Sequence, residues 1–388
     1  MAVTKVLLAA VLAVAVAVGA WALFFRSSDG HPIWVGALED TVKSPDPATA
    51  EARVALATRA GFNALGLTTS WAPGQTDPTA AELTALHNVA EAARQRRMRV
   101  YLSVYAASAR QAPLTADQQR QFADFTATLA TDLPTVRDFI VWNEPNLNRF
   151  WLPQFDGSGH DTAAPAYVAL LAGTYDALKA VSPQIRVVGG ALAPRGDDNP
   201  SAPRLTQSPT VFIRDMGRAY RESGRTKPLM DAFAIHPYLQ RSTLPPTTRH
   251  PLGTAIGIAD YEKLVRLLGE AFDGTAQPGS KLPIAYTEFG IQSKIPPSAE
   301  APYTNLQSPI GLDAVDEKTQ ADYYRQAFEL AGCQPTVTGI LIFHLLDEPD
   351  LNRWQSGPYY VDTKPKSSFG AIREAAEKAR EGKLVSCS

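Results

Sequence analysis

Two short runs hold the residues best suited to breaking a bond. Phe139-Ile-Val-Trp-Asn-Glu-Pro145 is an apolar stretch that ends in an amide, a carboxylate and a proline. Ile284-Ala-Tyr-Thr-Glu-Phe-Gly290 is a second such stretch, with Glu288 near its end and a glycine behind it. A strand that ends this way delivers a carboxylate to the rim of a sheet. Pro145 lacks an N–H and stops the ladder there. A turn or helix cap is the competing reading of Asn143 and Glu144, and a lone Glu at a strand end is weak evidence. A pair is a different matter: one carboxyl protonates a leaving oxygen while the other attacks from the opposite face.

Such a pair works only if the fold brings both strand ends to one rim. Eight short apolar or β-branched runs read as strands: Ile33–Leu38, Ala64–Thr68, Val100–Val104, Phe139–Trp142, Val187–Gly190, Ala232–Ile235, Ile284–Thr287 and Gly339–Phe343. Each is followed by a helical pattern, over Ala48–Arg59, Ala80–Gln95, Ala116–Leu129, Ala166–Ala180, Pro209–Glu222, Asp260–Ala271, Glu317–Leu330 and Gly370–Arg380. Strict alternation implies a parallel sheet, and at this length it predicts a closed (β/α)8 TIM barrel. An open doubly wound sheet would call for a glycine-rich phosphate loop after the first strand, and Gly36-Ala-Leu-Glu-Asp40 offers none. In a barrel the ends of strands four and seven meet at the mouth. The separation of about 5–5.5 Å that a retaining glycosidase needs is within their reach. The long Pro- and Ser-rich segments 145–164, 191–207, 237–257, 291–315 and 344–367 all rise from that same rim and suit a cleft for an extended substrate.

Trp142-Asn-Glu-Pro145 and Thr287-Glu-Phe-Gly290 resemble the motifs of glycoside hydrolase clan A, with families 5 and 39 as the nearest patterns. The resemblance covers residues 31–388 and includes His236-Pro-Tyr238 after strand six. It implies that Glu144 is the general acid/base and Glu288 the nucleophile of a retaining O-glycosidase. It also implies that Asn143 holds the sugar 2-hydroxyl, and that His236 and Tyr238 border the nucleophile. Tyr238 is placed to donate a hydrogen bond that keeps Glu288 ionised. The chain departs from family 5 in two places. Strand two, Asn63-Ala-Leu-Gly-Leu-Thr-Thr-Ser-Trp71, carries no Arg near its end. Strand eight ends in Phe343, His344 and Leu345 where a sugar-flooring Trp is usual. Phe343, His344 or Trp354 is expected to stand in for that Trp.

Other rim residues are secondary. Trp71, Trp151, Trp354, Tyr359 and Tyr360 can stack on sugar faces or simply pack within the loops. Glu39, Asp40, Asp347 and Glu348 can bind hydroxyls or face solvent. No His or Cys spacing fits a metal, so the reading requires neither metal nor cofactor.

Composition bounds the partners. With 45% hydrophobic and 20% charged residues and a formal charge of -2, nothing points to nucleic acid, and a monomer is expected. The stretch from Val6 to Phe25 is an unbroken run of apolar or small residues between Lys5 and Arg26. About 20 residues at helical rise span a bilayer core. We therefore expect a membrane anchor over 1–26, a cleaved signal segment being the alternative, then a linker at 27–30 and the barrel over 31–388. Either version puts the barrel outside the cytoplasm, at the cell membrane or secreted. Cys333 and Cys387 are the only cysteines and are expected to bridge. The short linker sets the membrane under the bottom of the barrel, with the mouth facing outward. The substrate is then expected to be an extracytoplasmic glycan, such as one of the cell envelope. Transglycosylation of that glycan, or an inactive barrel that only binds it, are the rival readings.

Overall fold

A computed structural model describes residues 30–307, 313–384 and 387. The apolar run expected to be an anchor lies outside the described residues. Among those described, no helix is long and apolar enough to cross a membrane. Eight strands close into a barrel in sequence order, every neighbouring pair parallel. They are β1 (Trp34–Leu38), β2 (Ala64–Trp71), β3 (Arg99–Ala106), β4 (Asp138–Val141), β5 (Arg186–Leu192), β6 (Ala232–Ile235), β7 (Ile284–Phe289) and β8 (Val337–Phe343). The helices between and after them are α1 (Pro47–Arg59), α2 (Ala80–Gln95), α3 (Ala116–Asp132), α4 (Ala163–Val181), α5 (Pro209–Glu222), α6 (Tyr261–Phe272), α7 (Glu317–Gly332) and α8 (Phe369–Arg380).

Local chemistry starts these helices where the sequence suggests. Asp46, Thr79, Thr115, Ser208 and Asp316 each accept the N–H of the residue three further on, and α1 and α5 open on proline. The strands then bury both faces. Inside the barrel a small cluster of Ala64, Tyr101, Ile140, Val188, Ala232, Ala234, Ala285 and Leu341 fills the bore. The outer strand faces join the helices in one large apolar shell that includes Val35, Leu67, Val104, Phe139, Tyr286 and Ile340. Cys333 and Cys387 are bridged, which ties the C-terminal tail to the end of α7. The N-terminal segment enters at the same lower face, where His31 N–H donates to the Gly332 carbonyl and Ile33 N–H to that of Ala379.

Every strand but β6 differs from the sequence reading by one to three residues at one or both ends, and two of these shifts bear on the site. β4 stops at Val141, one residue early, because Trp142 takes a left-handed φ of 71° that lifts the chain out of the ladder. β7 runs on to Phe289, so Glu288 is held within a strand.

Candidate active site

The turn after β4 sets Glu144 through its backbone. Trp142 points away from the bore, fully buried between Phe122 (ring centroids 5.7 Å apart) and Trp151 (5.1 Å), and its indole N–H donates to the Phe150 carbonyl. Glu144 itself has φ 39°, and its N–H donates to the Ala191 carbonyl at 2.9 Å. That carbonyl is presented by an irregularity in β5, where Gly190 and Ala191 both have positive φ and the register to β6 shifts. Two irregular strand ends thus brace each other under one carboxylate, at a backbone cost that the surrounding packing must hold. Asn143 is buried except at the cleft, which it lines, and its side-chain amide has no partner among the described residues.

β6 and β7 bring the other groups. His236 N–H (backbone) donates to the Leu192 carbonyl, which fixes the imidazole between the two glutamates. His236 Nδ1 lies 2.9 Å from Glu144 Oε1 and 3.6 Å from Glu288 Oε2. The Tyr238 hydroxyl donates to Glu288 Oε2 at 3.1 Å. One oxygen of each glutamate and one imidazole nitrogen all fall within 4.8 Å of one another. His236 therefore borders both glutamates and sits closer to Glu144, where the motif alone had set it beside Glu288.

These groups titrate together. Burial opposes a charged imidazole, yet the charge of Glu288 and the hydrogen bond and charge of Glu144 outweigh it, so the His236 pKa is raised. Burial likewise raises the Glu288 carboxyl above its ordinary range, and Glu144's charge adds to this, while His236 and the Tyr238 hydrogen bond pull it down. Tyr238 thus favours the ionised nucleophile, in the direction the sequence suggested, but does not overcome desolvation. The same three donor atoms are close enough to grip a cation. They are spaced as well for sharing a proton between the imidazole and the two carboxylates.

The glutamates open into a cleft of about 1090 Å³. Phe343, His344 and Trp354 all line it, so the loop tryptophan does reach in from the segment after β8. Trp354 packs edge-on to Phe343 at 5.5 Å and against Tyr238 at 5.2 Å. Gly290 makes that possible: a Cβ there would sit 3.1 Å from the Trp354 ring and 3.2 Å from that of Tyr238. Trp71, by contrast, is not at the cleft. It is 1% exposed, packs edge-on to Phe122 at 5.5 Å and donates to the Gln75 carbonyl, because the alternation of β2 turns it outward under the helices. Trp151 and Tyr359, on the loops after β4 and β8, are core residues as well. Glu39 caps the Leu345 and Leu346 N–H groups, and Asp347 forms a fully buried ion pair with Lys366. Asp40 and Glu348 do line the cleft.

Two features escaped the motif reading. Tyr105 lines the cleft at the end of β3, and its pKa is pushed up to about 12 by burial and then by the Glu288 charge. Alternation would have found it, since Tyr101 fills the bore and Tyr105 lies two inward-facing positions further up. Arg149 and Arg195, on the loops after β4 and β5, also line the cleft and carry no strand-end signal. Where the resemblance has an Arg at the end of β2, Thr68 hydrogen-bonds Asp40 through both its N–H and its hydroxyl, and Lys43 caps the Thr68 carbonyl at 2.8 Å.

No family model matches the chain, and no curated protein does. Solved structures do. The GH5_18 enzyme from Streptomyces cattleya in complex with GlcNAc aligns with a TM-score of 0.58 over 90% of this chain and 81% of that one, at 16% identity. The GH39 enzyme from Xanthomonas axonopodis pv. citri gives 0.54 over 89% of this chain, also at 16% identity, and the chain spans 66% of its length. A monomeric beta-xylosidase from Caulobacter crescentus gives 0.53 over 90% of this chain and 69% of that one, at 16% identity. At such identities the likeness is one of fold: the (β/α)8 barrel shared by these glycoside hydrolases.

Proposed function

We propose that the protein is a retaining O-glycoside hydrolase working by double displacement. The observation that carries this reading is the approach of Glu144, His236 and Glu288 oxygens and nitrogen to within 4.8 Å at the cleft floor. Retention needs carboxyls about 5–5.5 Å apart, whereas inversion needs about 6.5–9.5 Å to admit a water. In the first step Glu144 gives its proton to the glycosidic oxygen as that bond breaks, and Glu288 bonds to the anomeric carbon as an ester. Esterification removes the Glu288 charge. Glu144, now a carboxylate, takes a proton from a water whose oxygen displaces the ester and frees Glu288. Asn143, with its amide free toward the cleft, is the group for the sugar 2-hydroxyl. His236, bridging both carboxylates, shares the proton that the two steps move.

The substrate in this proposal is an extracytoplasmic glycan, such as one of the cell envelope. The apolar run from Val6 to Phe25 and the Cys333–Cys387 bridge support an exported protein held at the membrane. Entry of the chain at the lower face agrees with a mouth that points away from the bilayer. Proton NMR of the first-formed product anomer tests the mechanism. The retained anomer is expected, and the inverted one would refute double displacement.

A further inference from the structure

The two walls of the cleft differ in charge. On the side of β1, β2, β7 and β8, charged groups are matched. Asp40 is held by Thr68 and lies 3.3 Å from Lys43, Asp313 is 4.0 Å from Arg241, and Glu348 accepts the Trp354 N–H with His344 at 3.8 Å. On the side of β4 and β5 they are not. Arg149, Arg195 and Arg204 line the cleft, and none forms an ion pair among the described residues. Arg149 lies 5.4 Å over the Phe150 ring, which orients the guanidinium without neutralising it. Arg195 is half-buried and donates to the Tyr238 carbonyl at 3.3 Å. Glu144 and Asp197 are the carboxylates on these loops at the cleft among the described residues, and neither forms an ion pair with any of the three.

Arg195 is the informative one. Removing a guanidinium from water without a counterion is unfavourable, and burial acts on this group accordingly, opposed by the charge of Glu144. A cation beside the general acid also favours its carboxylate form, and so works against keeping Glu144 protonated ahead of the step. Both conflicts vanish if an anion of the substrate lies against the β4–β5 wall. Resting on the glycosidase reading above, we infer that the substrate is an acidic glycan, carrying a carboxylate, sulfate or phosphate on a sugar beside the cleaved bond, and that Arg195 and Arg149 bind that anion. The planar fork of a guanidinium suits all of these groups through paired N–H···O bonds.

The test uses the full chain on pairs of polysaccharides that differ only in the anion: uronate against its carboxyl-reduced form, sulfated against desulfated, phosphorylated against dephosphorylated. The acidic member of one pair should be cleaved with the higher kcat/KM, and which pair responds names the anion. Raising the salt should shrink the preference. Arg195→Gln should lower the acidic-to-neutral ratio about 10–100-fold, and Arg149→Gln should lower it less, as an exposed charge. Neutral members cleaved as well as acidic ones in every pair would overturn the inference, as would a preference that ignores salt and both substitutions. If no polysaccharide is cleaved, affinity electrophoresis decides. Retardation by an acidic member alone, lost in Arg195→Gln, upholds the anion site and refutes the hydrolase. No retardation by any acidic member refutes the anion site itself.

Discussion

The lower and upper rims of the barrel each gather buried charge, and they do so in opposite ways. At the bottom, Asp138 at the start of β4 is 1% exposed and accepts four hydrogen bonds. Arg99 contributes two (2.9 and 2.6 Å) and Arg186 two (both 2.8 Å), so neighbouring strands are stapled through one carboxylate. Every charge there has an opposite partner in bidentate geometry. At the top, Glu144 and Glu288 converge on the single imidazole of His236, and Glu288 has only Tyr238 besides. Two carboxylates that share one proton-bearing group are poorly placed for stability and well placed for moving a proton. The contrast separates a structural cluster from a chemical one without reference to any relative.

If the contrast is sound, substitutions at the two rims should fail in different ways. Glu288→Ala should show the largest effect on turnover. On the proposed mechanism it removes the nucleophile, so activity on natural and activated glycosides should fall to background, while the melting temperature holds or rises because a desolvated carboxylate is gone. A clear loss of stability with activity retained would reverse the comparison. Glu144→Ala should come next, slowing natural linkages on the order of 10²–10⁴-fold. Its ester intermediate should be intercepted by azide, giving a glycosyl azide of retained configuration by NMR; an inverted azide would exchange the roles of the two glutamates.

Asp138→Asn should act on folding instead. It leaves Arg99, 10% exposed, without its counterion, and should cost about 3–5 kcal/mol in urea unfolding, toward the lower value because Arg186 is 44% exposed and stays hydrated. The folded fraction should keep wild-type kcat. The smallest effect is on pH. Glu288 must be ionised to attack, and its carboxyl is held above the ordinary value of about 4.3, so the acid limb of kcat/KM should lie above that value. His236 lowers the Glu288 pKa, so His236→Asn should move this limb to higher pH. A shift to lower pH would mean that His236 does not hold positive charge beside the nucleophile.

Much of the architecture was legible locally. Period-two apolar runs and period-3.6 helices recur along the chain, and each is set by neighbours a few residues away. For that reason the strand and helix cores were placed correctly, and the barrel order followed from strict alternation. The convergence of Glu144 and Glu288 was legible too, because strict alternation sets the ends of strands four and seven on one rim. The limits lie in the loops and in side-chain direction. Trp71 and Trp354 both read as rim tryptophans from the sequence, yet Trp71 ends β2 and is core while Trp354 lies on the loop after β8 and faces the cleft. The register of β2 settles the first, and the room left by Gly290 settles the second.

The sequence by itself determined the alternating strands and helices, the two glutamates on one rim and the cysteine pair, since these rest on short-range periodicity and residue type. Only the tertiary structure decided that His236 leans toward Glu144, that an irregular β5 carbonyl seats that glutamate, and that unpaired arginines crowd one wall of the cleft. Those facts depend on distances between segments about 40 to 90 residues apart, and such distances come from how the loops pack over a closed barrel.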